Sequence, residues 1–246
     1  MMEQFDQLAP QELEKPVIFG FIGGMGRETS KQFIMNLILE HPELNGRIRY
    51  IDVHSRINPI LEQEYVKQGL HREIFEKIVV EAALKLAERG ATDISLLCNT
   101  ATQHAPAIRQ ALEPLGVNFT SIVDAVTAKV QAENLHKILI LATPNTTFDL
   151  GLYDSLPNLV KPSTDDQELV TGIISSVLQA EFVSENRIEA LADMAIGYET
   201  DGILFGCTDL AIVMNQFQRQ LSIHNGQKVI IESTQALAAQ VVSSMS

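Results

Sequence analysis

Two cysteines stand at positions 98 and 207 of this 246-residue chain, and each closes an apolar run and opens a polar turn. The first run is Ile94-Ser95-Leu96-Leu97-Cys98-Asn99-Thr100, and the second is Gly202-Ile203-Leu204-Phe205-Gly206-Cys207-Thr208-Asp209. A thiolate is a base and a thiol is an acid. Two such groups on opposite sides of one substrate carbon can take a proton from one face and return a proton to the other. Taken singly, either cysteine is a small apolar filler, because free cysteine is among the most buried residue types. The repeated context of strand, cysteine, Asn or Thr, then helix favours reactivity, since the carboxyl ends of strands are where open α/β sheets hold ligands. A helix N-terminus after each cysteine is expected to lower its pKa. A disulfide framework is not expected from two cysteines in a chain of this length without a visible secretory signal.

A second cluster of interest is Gly23-Gly24-Met25-Gly26-Arg27-Glu28-Thr29-Ser30, between a strand pattern and a helix pattern. Gly24, Gly26 and position 29 imitate the spacing of a dinucleotide-binding turn, and Asp52 stands where a ribose-binding acid would. Position 29 is Thr, however, so the third glycine, which permits close helix-to-strand packing, is missing. The competing use is direct approach of backbone amides to a small carboxylate, with the helix dipole assisting. The six histidines, at 41, 54, 71, 104, 136 and 224, show neither H-x-x-x-H spacing nor partnership with paired cysteines, so no metal site is expected. No G-x-S-x-G elbow or P-loop is present.

The elements that must position these residues alternate. Strands are expected at Val17 to Ile22, Arg47 to Val53, Asp93 to Leu97, Lys137 to Leu141, Gly202 to Phe205 and Lys228 to Ile231. Amphipathic helices are expected at Ile74 to Arg89, where Ile74, Ile78, Ala82 and Leu86 recur every fourth residue, and at Ala236 to Val242. Strand-helix-strand repetition implies crossover connections and mainly parallel sheets. The cysteine separation, 207 − 98 = 109, is close to half the chain and fits two halves of similar plan.

Composition narrows the function classes. With 46% apolar and 20% charged residues the chain reads as globular. A formal charge of −13, from 18 Lys+Arg against 31 Asp+Glu, argues against nucleic acid or an anionic membrane as partner. The segment Met1 to Pro16 is acidic and mixed where a signal peptide would be basic and then apolar, and no run approaches the length of a membrane helix, so a cytoplasmic location is expected.

Gly-Gly-Met-Gly at 23 to 26, Cys98-Asn99-Thr100-Ala101 and Gly206-Cys207-Thr208-Asp209 resemble, in order and spacing, three signature segments of the aspartate/glutamate racemase family. Leu141-Ala142-Thr143 with Thr147, and Glu232-Ser233-Thr234, extend the resemblance over nearly the whole chain after about residue 16. The resemblance implies an α/β fold of two similar three-layer subdomains with mainly parallel sheets, related by pseudo-twofold symmetry, with the active site between them. The subdomains are expected at 16–120, joined by the C-terminal segment 227–246, and at 121–226, after a flexible extension over 1–15. The resemblance further implies a homodimer acting on a small amino acid, aspartate or glutamate first, without pyridoxal phosphate, metal or nucleotide.

Carried over by residue, Cys98 and Cys207 would be the acid/base pair. Asn99, Thr100, Thr143 and Thr208 would hydrogen-bond the substrate. Met25, Gly26 and the loop from Asp52 to Asn58 would close the pocket, with Arg56 contacting a side-chain carboxylate. The chain departs from the family in having Thr102 where a histidine is usual, with His104 two places later. It also has Asp209 for Glu, Glu232 for Asp, and Leu169 near the position of a substrate-contacting lysine. These departures leave the thiol pair intact and loosen the substrate assignment. A related isomerase or decarboxylase using one or two cysteines and a non-catalytic small-acid binding protein remain the alternatives.

Overall fold

The computed structural model describes residues 17–57, 59–224 and 227–245; the extension expected over 1–15 and Asn58 of the 52–58 loop lie outside the described residues. In chain order the strands are β1 (Phe19–Gly23), β2 (Ile48–Asp52), β3 (Asp93–Leu96), β4 (Asn118–Thr120), β5 (Ile138–Leu141), β6 (Leu159–Val160), β7 (Gly202–Phe205) and β8 (Val229–Glu232). Three of them, β1, β5 and β7, are buried at every position. Such unbroken apolar runs are what a parallel strand needs when helices cover both of its faces.

The helices are α1 (Arg27–Glu40), α2 (Pro59–Gln68), α3 (Arg72–Glu88), α4 (Ala105–Leu112), α5 (Ile122–Ala132), α6 (Thr164–Leu178), α7 (Glu185–Gly197), α8 (Met214–Ile223) and α9 (Ser233–Ser243). Side-chain caps fix several of their starts. Ser121 Oγ accepts from the Val123 N–H at α5, and the Glu232 carboxylate accepts from Thr234 and Gln235 at α9. Each cap satisfies amides that would otherwise be orphaned in the first turn.

Every strand pairing is parallel. The order is β2-β1-β3-β4 in one sheet and β6-β5-β7-β8 in the other, so the second sheet repeats the first. This is the expected fold class. The segment 227–246, expected to join the first half, adds β8 to the second sheet beside β7 and lays α9 against α5.

Among the described residues three apolar clusters make up the core. One fills the outer layer of the first half around Phe75, Leu86 and Ile94, and another that of the second half around Ile188, Phe205 and Phe217. The middle cluster joins Phe21, Leu97 and Val126 to Ile140, Leu204 and Leu237, so both sheets share it. Truncating one such leucine to alanine costs roughly 2–5 kcal/mol. The shared layer therefore fixes the two sets of strand ends relative to one another. Among the described residues no helix is long and apolar enough to cross a membrane.

Candidate active site

Cys98 lies two residues beyond the end of β3 (96 + 2), and Cys207 two residues beyond the end of β7 (205 + 2). These strands hold the same place in their sheets. Both cysteines are free, with 6% and 7% of their surface exposed, and the charge on Cys98 bears on Cys207. Hydrogen bonds from one half to the other converge around them.

Thr29 of α1 donates to Asp209 Oδ1 at 2.8 Å, and the second oxygen of Asp209 accepts from the Cys207 thiol at 3.7 Å. Thr100 shares hydrogen bonds with Thr143 at 3.1 Å and Thr146 at 2.8 Å, a buried triangle of hydroxyls spanning both halves. Asn99 donates to Ser233 Oγ at 3.0 Å and accepts the phenolic O–H of Tyr153. Both ends of its amide are therefore engaged by the second half, and Asn99 is a strut between halves where the sequence suggests a substrate ligand.

The expected depression of the thiol pKa values is reversed. Backbone N–H groups do favour the thiolate, from Ala101 and Thr100 at Cys98 and from Asp209 at Cys207. Burial outweighs them. It pushes Cys98 up to about 12, with the charges of Asp209 and Glu62 adding to the rise, and lifts Cys207 well above its ordinary value with Asp209 again adding. Low polarity disfavours the ion more than a few short-turn amides favour it. Both thiols thus hold their protons at neutral pH. Burial likewise raises Asp209 to about 6 and Glu62 to about 7.

Met25 is buried in the outer core of the first half. Gly26 is required twice over: its φ is +98°, and a Cβ there would lie 2.6 Å from Asp209 Oδ1. Gly24, with φ +101°, packs against the Asp52 carboxylate and the backbone of Val53 and His54. The glycine turn therefore accommodates the protein's own groups. Thr143 and Thr208, expected to hydrogen-bond the substrate, are buried just beyond the ends of β5 and β7.

Arg56 is not brought to the thiols. It is exposed and its guanidinium donates to Glu81 of α3 at 2.7 Å. His104 is buried beside Tyr65 and bonds Glu76 through Nδ1 at 3.2 Å. Glu62 of α2, by contrast, acts electrostatically on Cys98, and nothing in the sequence singles it out. Its helix reads as a mixed polar segment in which one glutamate looks like the next. The helix also touches the second half, where Asn145 Nδ2 donates to Tyr65 O at 3.4 Å. Tyr153, Thr29 and Thr146 are further site residues that only the tertiary contacts reveal.

The model of the Asp/Glu/Hydantoin racemase family matches residues 22–241. The broad specificity amino-acid racemase RacX of Bacillus subtilis (strain 168) is 26% identical over 227 residues, covering 88% of this chain and 96% of that protein. Among solved structures, the aspartate racemase of Picrophilus torridus superposes with a TM-score of 0.70 at 22% identity, covering 93% of this chain and 94% of that one. A glutamate racemase of Francisella tularensis, solved with D-glutamate, gives 0.67 at 18% identity, covering 94% and 81%.

Proposed function

The chain belongs to the Asp/Glu/Hydantoin racemase family, a family of isomerases, and from that premise we propose that it is a cofactor-independent racemase of α-amino acids using Cys98 and Cys207 as its two bases. The observation that carries this reading is the placement of two buried thiols at equivalent strand ends of two sheets with the same order. One cysteine, as thiolate, removes the α-proton. The other, as thiol, protonates the opposite face, and the roles exchange for the other enantiomer.

A thiolate must first be formed against the burial that raises both pKa values. The substrate's own α-ammonium supplies the missing positive charge, since an opposite charge within a few ångströms favours the ionised form. Asp209, hydrogen-bonded to Cys207, suits that ammonium as its ionised partner, and the proton lost in forming either thiolate passes to solvent. As the α-proton leaves, negative charge flows onto the substrate carboxylate. The hydroxyls of Thr100, Thr143 and Thr208 and the amides of the turns after each cysteine suit that group, as fixed dipoles oriented before the charge appears. The distal contact expected from Arg56 drops out of this reading, because Glu81 already holds it.

The test is incubation of the protein with a panel of L-amino acids in deuterium oxide, reading α-deuterium incorporation by NMR and inversion by chiral chromatography. Deuterium uptake with inversion supports the proposal. Absence of both for every amino acid rejects it.

A further inference from the structure

The polar groups gathered near the thiols are of two kinds. One set is neutral hydroxyls: Thr100, Thr143 and Thr146 bond to one another, and the buried Thr147 Oγ1 has no partner among the described residues. The other set is carboxylates. Asp209 lies over Gly26, and Glu62 reaches in from α2.

Glu62 has 7% of its surface exposed, and its Oε1 is buried without a hydrogen-bond partner. Its Oε2 lies 4.0 Å from His54 Nδ1, itself buried and unpartnered. The negative charges of Asp209 and Asp52 both bear on it. The Gly26 backbone N–H favours its charged form, and of the cations Arg27 reaches it, but Arg27 is half exposed and lies 3.8 Å from Glu28, so Oε1 is the atom left without a donor among the described residues. A buried carboxylate oxygen without a donor is unfavourable in itself, so its retention points to a donor that arrives with a ligand.

An amino acid offers two positive or donor-bearing ends only when its side chain carries one. The α-ammonium must sit near the reacting carbon, where Asp209 bonds the Cys207 thiol. Glu62, on a different helix and backed by His54, is left for the side chain. An aspartate or glutamate side chain would instead meet like charge from Glu62, Asp209 and Asp52.

We propose that Glu62 accepts the N–H donors of the substrate side chain, and that the enzyme favours amino acids whose side chain ends in an ammonium or guanidinium over aspartate and glutamate. The proposal rests on the racemase reading above and adds the substrate class.

The test compares kcat/KM for inversion of L-ornithine, L-lysine, L-alanine, L-aspartate and L-glutamate in the wild type and in Glu62→Gln, with calorimetric titration of ornithine and glutamate into each protein. The wild type should favour ornithine or lysine over glutamate by at least about tenfold, and Glu62→Gln should cut the ornithine-to-alanine ratio by about tenfold, as loss of a charge-assisted hydrogen bond implies. A wild type that prefers aspartate or glutamate overturns the proposal. So does an unchanged ornithine-to-alanine ratio, which would assign Glu62 to the α-ammonium or to the fold. If no amino acid is inverted, the racemase reading fails, and the titrations decide the side-chain preference. Ornithine binding more tightly than glutamate, with the difference lost in Glu62→Gln, upholds it; equal or reversed affinities overturn it.

Discussion

Thr29 and Asp209, 180 residues apart in sequence, meet across the cleft in a 2.8 Å hydrogen bond from hydroxyl to carboxylate. The same carboxylate accepts from Cys207 at 3.7 Å, so one side chain joins the first half to the thiol of the second. A small opening of the halves would therefore alter the electrostatics at Cys207 directly. Preserving chemistry and preserving the interface are one requirement here.

Replacing either cysteine by serine should reduce inversion roughly 100- to 10,000-fold, because a hydroxyl is too weak an acid to be ionised by the same surroundings. Each single variant should still exchange the α-proton of one enantiomer, through its remaining thiol. Chiral analysis in deuterium oxide reads both effects. Full inversion by either variant would remove the two-base assignment.

Tyr153→Phe should destabilise the protein by about 1–3 kcal/mol, because Asn99 Oδ1 is left buried without its donor. Urea unfolding measures this. Asn99→Ala removes both hydrogen bonds of the strut, to Ser233 and from Tyr153, and the double variant should be less damaged than the sum of the singles. Strict additivity would mean that the bond does not act.

Gly26→Ala confronts a left-handed backbone, whose penalty for a non-glycine residue is on the order of 1–3 kcal/mol, and a clash with the Asp209 carboxylate. Displacing Asp209 should harm turnover more than folding. A variant with lowered melting temperature and unchanged kcat would show that Asp209 needs no fixed position.

The pH dependence follows from buried carboxylates. Glu62 rises from an ordinary 4.5 to about 7 and Asp209 from 3.8 to about 6, chiefly through burial. The folded state thus keeps protons that the unfolded chain has already lost. The stability these groups contribute is fully present below about pH 4 and is lost as pH rises through about 6 and 7. His104, lowered from 6.5 by burial, works in the opposite direction on acidification, so the wild-type curve mixes the two effects. Comparing Glu62→Gln with wild type isolates one group. The variant should nearly match wild type at pH 5 and exceed it by about 1–3 kcal/mol at pH 8. Urea midpoints at the two pH values check this, and a pH-independent difference would contradict it.

The strands named from sequence match the structure to within one or two residues at each end because β1, β5 and β7 are apolar runs buried at every position, while the half-buried β2 and β8 each carry four or five residues rich in β-branched and aromatic side chains. Asn118–Thr120 and Leu159–Val160 escape notice for the opposite reason: an edge strand of two or three residues, half exposed, has no pattern of its own. The thiols were legible because each sits at the junction of a strand run and a polar turn. Glu62, Tyr153 and Thr29 were not, since their partners lie in distant segments and nothing local distinguishes them from a solvated glutamate, a core tyrosine or a helix threonine. The thiol pKa direction escapes the sequence for a related reason. Turn amides can be read from sequence, whereas the extent of burial is set by the packing of both halves.

The position two residues past Cys98 is Thr100, and two past Cys207 is Asp209, so among the described residues Cys207 is the thiol hydrogen-bonded to a carboxylate, while Glu62 and Asp209 act on Cys98 through their charge alone. Mirror-image substrates interconvert with an equilibrium constant of unity, so the second-order rate constants for the two hands must be equal whatever the protein contributes. The carboxylate bonded to Cys207 could therefore redistribute only residence: one antipode held longer and turned over more slowly at saturation, the other released sooner. On the proposed racemase reading, duplicated architecture would supply even-handed chemistry, and the unmatched pairing of Cys207 with Asp209 would bias which hand occupies the protein.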